Sequence, residues 1–223
     1  MISMKAPSLS VALFAALLSY CCCSLAATGG TALSHTQAIE DLGKPNAAAR
    51  RAAVTRLAEI GVMADTPVLV QSLRDDDVTT RLMAENALWR VWSRSRDARV
   101  DHLFEHGLAQ MQRGNTRGAL STFTRIVKLK PAFAEAWNKR ATLYFILGDY
   151  RKSLEDCAQT LRRNPNHFGA LAGYAQNYLR LNQPELALDY FQRALEINPN
   201  MPSVESAIED LQDEIDAKRD RVI

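Results

Sequence analysis

Residues 134–167 read AEAWNKRATLYFILGDYRKSLEDCAQTLRRNPNH, two helices and a turn within 34 residues. In the first half Trp137, Ala141 and Tyr144 stand at i, i+4 and i+7, one face of a helix over about Ala134–Leu147. Gly148 and Asp149 stop it, glycine being the usual residue just past a helix end. A second helix starts near Tyr150, with Leu154, Cys157, Thr160 and Leu161 on its inner face. Pro165 ends that helix at Asn164, because the residue before a proline is driven out of helical geometry. Ala141 and Ser153 are small where the two helices must approach closely, and Trp137 fills the space between neighbouring pairs.

The same hairpin is written on either side at a fixed interval. Pro131, Pro165 and Pro199 are 34 residues apart, as are Leu103, Trp137 and Leu171. The interval also links Gly107, Ala141 and Ala175, then Ala119, Ser153 and Ala187, then Phe123, Cys157 and Phe191. A constant period with small and large apolar residues at fixed offsets is the pattern of a stacked repeat array. One hairpin cannot bury its apolar faces alone, whereas three stacked copies make a continuous core. The pattern resembles the tetratricopeptide repeat, with copies at 100–133, 134–167 and 168–201 inside a region spanning 96–201. In the third copy Asn182 and Pro184 replace the expected glycine and aromatic, which predicts a local departure in that turn. Beyond Pro199, residues 202–219 read as a capping helix. Val204, Ala207, Ile208, Leu211 and Ile215 point inward, and Glu205, Glu209, Asp210, Asp213 and Glu214 form a solubilising outer face. The tail from Lys218 is expected to fray.

Residues 34–95 carry a second repeat of period 31. Ile39 and Val70, Leu42 and Leu73, Arg50 and Arg81, Leu57 and Leu88, and Ile60 and Val91 all differ by that number. Each unit reads as a short helix, a turn (Lys44–Asn46, Asp75–Asp77) and a longer helix rich in alanine and arginine. The segment Asn46–Gly61 resembles short HEAT-like repeats, in two copies. Asp75–Asp77 lacks the spacing and terminal glutamate of a calcium loop, so helix capping is the expected role. The link from Trp92 to Arg99 shows no flexible spacer, which predicts a rigid or semi-rigid superhelix. The fold class is therefore all-α: a helical-repeat solenoid of HEAT-like pairs, three tetratricopeptide hairpins and a C-terminal capping helix.

The amino end reads as an export signal over residues 1–27, followed by a linker at 28–33. Lys5 gives a positive start, Val11–Leu18 an apolar centre, and Ser24-Leu25-Ala26 a small-residue cleavage site. Its removal takes away one charge, Lys5, and lowers the net charge from +2 to +1. The expected location is periplasmic or secreted. Two alternatives compete: an uncleaved anchor, since Ser8–Ala27 is about long enough to span a bilayer, and a lipoprotein on Cys21, which Tyr20 fits poorly. Of four cysteines, Cys21, Cys22 and Cys23 lie in this segment. Cys157 remains alone, a small buried hydrophobe with no disulfide or metal partner.

For chemistry, one motif stands out: His102-Leu-Phe-Glu-His106 matches H-x-x-E-H, in which two histidines hold zinc and the glutamate acts as base. It falls inside the first tetratricopeptide copy, and no third ligand can be named from the sequence, so no metal or cofactor is assigned. A zinc-dependent hydrolase centred there is the alternative from another functional class. No nucleophile elbow, phosphate-cradling glycine loop or paired-cysteine motif is present. Arg90, Arg94, Arg96 and Arg99 form the densest basic stretch, but a near-neutral net charge argues against a nucleic-acid partner.

The resemblance implies a concave groove lined by the first helix of each copy. Carried across position by position, its residues are Asp101, Phe104, Leu108, Met111 and Gln112 from the first copy. The second supplies Glu135, Asn138, Thr142, Phe145 and Ile146, and the third Gly169, Ala172, Gln176, Leu179 and Arg180. The clamp by which some members grip a terminal carboxylate is absent, because Phe104, Leu108, Gly169 and Gly173 stand at its positions. What remains suits an apolar peptide or amphipathic helix. The expected function is non-enzymatic: a protein-binding scaffold of the bacterial envelope. Membrane attachment follows only if the amino segment is retained, and self-association through the array ends is a further alternative.

Overall fold

The computed structural model describes residues 32–220; the expected export signal and the last three residues lie outside them. The described residues contain eleven α-helices and no strand. They are α1 (His35–Asp41), α2 (Ala47–Ile60), α3 (Thr66–Ser72), α4 (Val78–Trp92), α5 (Ala98–Gln112), α6 (Thr116–Leu129), α7 (Ala134–Ile146), α8 (Tyr150–Arg163), α9 (Phe168–Arg180), α10 (Pro184–Ile197) and α11 (Pro202–Asp220). A short 3-10 turn, Met63–Asp65, precedes α3. None of these helices is long and apolar enough to cross a membrane.

Three hairpins, α5–α6, α7–α8 and α9–α10, stack in chain order, and α11 closes the array against α10. The close approach inside each hairpin depends on small residues. Gly107, Ala141 and Ala175 are buried at equivalent positions, and a Cβ on Gly107 would lie 2.8 Å from the Phe123 ring. Ser153 donates from its hydroxyl to the Ala141 carbonyl at 2.9 Å, and Asn177 donates to the same hydroxyl at 2.8 Å. A serine at this contact therefore links the two repeats through a buried polar chain, from Asn177 Nδ2 to the Ser153 hydroxyl to the Ala141 carbonyl.

The turns after α5, α7 and α9 share one conformation. Gly114 and Gly148 have φ of 71° and 79°, and Asn182, one period on, has φ of 56°. The local departure expected at Asn182 does not occur. Asparagine tolerates the left-handed region, and Pro184 takes the first turn of α10, where its missing N–H would have no helical partner anyway.

The amino-terminal helices form two antiparallel pairs, α1–α2 and α3–α4, with α2 packed on α4. An arginine ladder ties the turns together. Arg50 grips both carboxylate oxygens of Asp75, at 2.7 and 2.8 Å, and donates to the carbonyls of Lys44 and Pro45. Asp76 also accepts from it. Of the three aspartates expected to cap α4, only Asp77 does so, accepting from the Thr80 N–H at 2.9 Å. Arg81, one 31-residue period after Arg50, donates to the Asp75 carbonyl at 2.8 Å and to Asn200 Oδ1 at 3.0 Å. The ladder thus runs out of the amino-terminal pairs and into the loop before α11.

That junction is extensive. Trp92, Leu88 and Val91 of α4 share one buried apolar cluster with Phe168 and Leu171 of α9 and Ala194 of α10. Arg74 reaches the carbonyls of Glu196 and Ile197, and Asn200 Nδ2 donates to the Leu73 carbonyl at 2.7 Å. The link after α4 is equally fixed: Ser95 N–H donates to Asp101 at 2.7 Å, and Lys130 reaches the Ser95 carbonyl. Arg94, in the basic stretch, donates to the Gly61 carbonyl at 3.1 Å and to that of Glu59.

Candidate functional site

The face of α7 that carries the expected groove residues begins at Glu135 and ends at Ile146, three turns later. Its first turn is covered. Glu135 is 0% exposed, and its Oε2 accepts from His167 Nε2 at 2.7 Å and from Asn138 Nδ2 at 3.2 Å. Oε1 forms an ion pair with Lys139 Nζ at 2.9 Å. The tautomer of His167 follows from its other nitrogen. Nδ1 accepts from the Ala170 N–H at 3.1 Å and caps α9, so Nε2 carries the proton and donates to Glu135. Burial alone would raise the Glu135 pKa, but the Lys139 ammonium and the His167 hydrogen bond hold it down at about 2.

The cover over this network is α4. Trp92 stacks on the His167 ring with centroids 4.6 Å apart and planes at 25°, and its Nε1 donates to Thr66 Oγ1 at 3.1 Å. Trp89 meets His167 and Phe168 edge-on at 5.4 and 5.2 Å, and Lys139 Nζ lies 5.5 Å from its ring centroid. A Cβ on Gly169 would stand 2.6 Å from the Trp89 ring, so glycine is required there by the tryptophan. Ala172 also packs in this cluster. The loop-side half of the concave surface is therefore filled by the chain itself.

The expected groove residues fall into three groups. Glu135, Asn138, Gly169 and Ala172 lie at the α4 junction, and the Asp101 carboxylate is held by Ser95. Phe104 is buried, in ring contact with Phe123 and Phe133 at 5.6 and 5.1 Å, so it is a core residue and offers no surface. The physical reason is that Phe133, at the end of the first copy, closes over it. The third group stays open. Ile146 is 58% and Leu179 37% exposed, Gln112 and Arg180 are exposed, and Leu108, Met111, Thr142, Phe145 and Gln176 are half-buried. Arg180 places its guanidinium 5.8 Å from the Phe145 ring centroid.

The H-x-x-E-H residues His102, Glu105 and His106 are exposed on α5. Among the described residues, no group of three or more His, Cys, Asp or Glu side chains comes together to hold a metal. Cys157 is buried and unpaired, its thiol pushed up to about 12 by burial. The residues that sequence reasoning missed are Trp89 and Trp92. Their signal was the glycine at 169, which stands where a groove helix would otherwise carry a side chain.

Comparison with known proteins gives the frame for this geometry. Two family models, each described as tetratricopeptide repeat, match residues 104–158 and 133–200. A TPR repeat-containing protein of Rhizobium etli is 35% identical over 126 residues, 56% of this chain and 61% of the relative. The small glutamine-rich tetratricopeptide repeat-containing protein of Dictyostelium discoideum is 26% identical over 109 residues, 49% of this chain and 33% of that one. The chain thus spans less than two thirds of either relative. Among solved structures, the Sgt2 TPR domain of Aspergillus fumigatus superposes with a TM-score of 0.51 at 21% identity, covering 54% of this chain and 82% of that one. The first TPR domain of human RPAP3 gives the same score and identity, covering 54% of this chain and 95% of the other. Residues 104–200 are tetratricopeptide repeats.

Proposed function

We propose, from the premise that residues 104–200 are tetratricopeptide repeats, that this protein is a non-enzymatic interaction scaffold of the bacterial cell envelope. It binds a segment of another protein on the open half of its concave surface. The observation that carries the reading is the exposure of Ile146 and Leu179 at the last turns of α7 and α9. Large apolar side chains left in solvent on the groove face of a repeat array suit an interaction surface. Peptide binding by a solved relative of this fold, the first TPR domain of Spaghetti (RPAP3) with the HSP90 peptide SRMEEVD, fits the same reading. Export through residues 1–27 rests on the signal-like pattern of that segment. The two amino-terminal pairs are HEAT-like units that serve the array as a fixed lateral wall.

The test is site-specific photo-crosslinking in cells, with the photoreactive residue at Ile146 or at Leu129, an equally exposed apolar position on α6 outside the groove. A partner adduct from position 146 and none from 129 is the expected result. Adducts from 129 alone, or from neither, would remove the groove as the site of function. Amino-terminal sequencing of the protein from the periplasmic fraction tests export; an intact Met1 in the membrane fraction would replace the cleaved signal with an anchor.

A further inference from the structure

The two halves of the concave surface differ in the state of their cations. Four basic groups at the loop-side end are engaged by the chain itself: Lys139 by Glu135, Arg81 by Asn200 and the Asp75 carbonyl, Arg74 by the carbonyls of Glu196 and Ile197, and Lys130 by the Ser95 carbonyl. Trp89 lies over Lys139, and Trp92 stacks on His167 beside it. At the open end Arg180 is exposed, and among the described residues it makes no ion pair or hydrogen bond, only the ring contact with Phe145. Around it the surface is apolar, from Phe145 and Ile146 on α7 to Leu179 on α9.

Resting on the interaction reading above, we propose that α4 is a built-in occupant of the groove that sets the class of partner. The open half takes an internal amphipathic helix of another protein, its apolar stripe on Phe145, Ile146 and Leu179 and an acidic side chain on Arg180. It does not take a free chain terminus. A terminal carboxylate needs unengaged donors at the loop-side end, and there Lys139, Arg74, Arg81 and Lys130 are spent on the chain's own groups. An apolar helix with an acidic flank needs what the other end offers: the apolar side chains of Phe145, Ile146 and Leu179 and the Arg180 guanidinium.

Fluorescence anisotropy on the full chain tests this with three labelled probes. The first is an 18-residue helix blocked at both ends, with leucine at i, i+3, i+4 and i+7 and glutamate on one flank. The second carries lysine in place of the glutamates, and the third is a heptapeptide ending in a free Glu-Glu-Val-Asp carboxylate. The glutamate helix should bind, and Leu179→Asp should weaken it at least about tenfold, as loss of an apolar anchor does. Arg180→Glu should weaken the glutamate helix about fivefold and strengthen the lysine helix, a reversal that simple loss of folding cannot produce. Tighter binding of the free-carboxylate heptapeptide would show the loop-side end open and overturn the occupancy by α4, leaving the interaction reading intact. Failure of all three probes, with crosslinking from position 146 still observed, would overturn the partner class alone. Dimerisation of the chain abolished by Leu179→Asp would reassign the surface to a second copy and overturn the proposal.

Discussion

Glu135 and Ile146 belong to one face of one helix, yet the first is fully buried and the second is 58% exposed. The same division runs along α9, from Gly169 under the Trp89 ring to Arg180 in solvent. In an array built from three similar hairpins, equivalent rows would be expected to have equivalent environments along their length. The difference comes from outside the repeats: α4 lies over one end of the row and not the other. Repeat arithmetic therefore fixes which residues face the groove, while a separate element decides which of them a partner can reach.

The largest test of that division removes the cover. Trp92 is buried between the His167 ring, Thr66 and Phe168. Trp92→Ala should cost about 3–5 kcal/mol, the range for emptying a buried aromatic site. Because α4 and the repeats share one apolar cluster, the loss should appear in urea as a single transition at lower midpoint. Two separated transitions would mean that the amino-terminal pairs and the repeats fold independently, and the covered half would then be a docking contact, not a core.

The buried carboxylate sharpens the contrast through pH. The pKa of Glu135 is lowered from 4.5 to about 2. Its ionised form is therefore favoured by folding, and that contribution is complete above the unfolded value and lost as pH falls from about 4.5 toward 2. A shift of this size corresponds to something on the order of 3 kcal/mol. Glu135→Gln should flatten the acid limb of the stability curve in this window and lower stability at neutral pH, since Lys139 would lose its ion pair. An unchanged acid limb, read by urea unfolding from pH 5 to pH 2.5, would show that the network is not what holds the covered end.

How much of this was legible in the sequence depends on where each residue's partner lies. The hairpins could be read to within a residue: α7 ends at Ile146 against an expected Leu147, and α8 starts at Tyr150 as expected. The reason is that periodicity, glycine and proline act locally. Asn182 misled by its identity, although its conformation matches Gly114 and Gly148, because the turn demands a left-handed residue and asparagine can supply one. Phe104 misled in the opposite way: its position belongs to the groove row, but Phe133 covers it. The pairing of Trp89 with Gly169 was out of reach. Those residues are 80 positions apart in different repeat families, and no period connects them.

That pairing gives a smaller, sharper test. Gly169→Ala places a methyl 2.6 Å from the Trp89 ring, and the ring is rigid, so the helix or the indole must shift. Overpacking of this kind costs about 1–3 kcal/mol. Trp89→Leu in the same chain should recover part of it, with a double-mutant coupling of about 0.5–3 kcal/mol. Additive effects would show that Trp89 already moves freely over α9.

At the open end the same kind of change should do almost nothing to the fold. Ile146→Asp and Leu179→Asp sit on exposed positions at the last turns of α7 and α9, and each should alter stability by about 0.5 kcal/mol or less. A buried carboxylate at position 135 and a surface carboxylate at 146 are thus expected to play opposite parts: removing the first weakens the fold, and adding the second leaves the fold intact while abolishing capture of a partner. A loss of more than about 2 kcal/mol from either surface substitution, seen as a lower urea midpoint with unchanged slope, would mean that the open half is packed against something within the chain. The distinction between a covered and an open half would then fail at its simplest point.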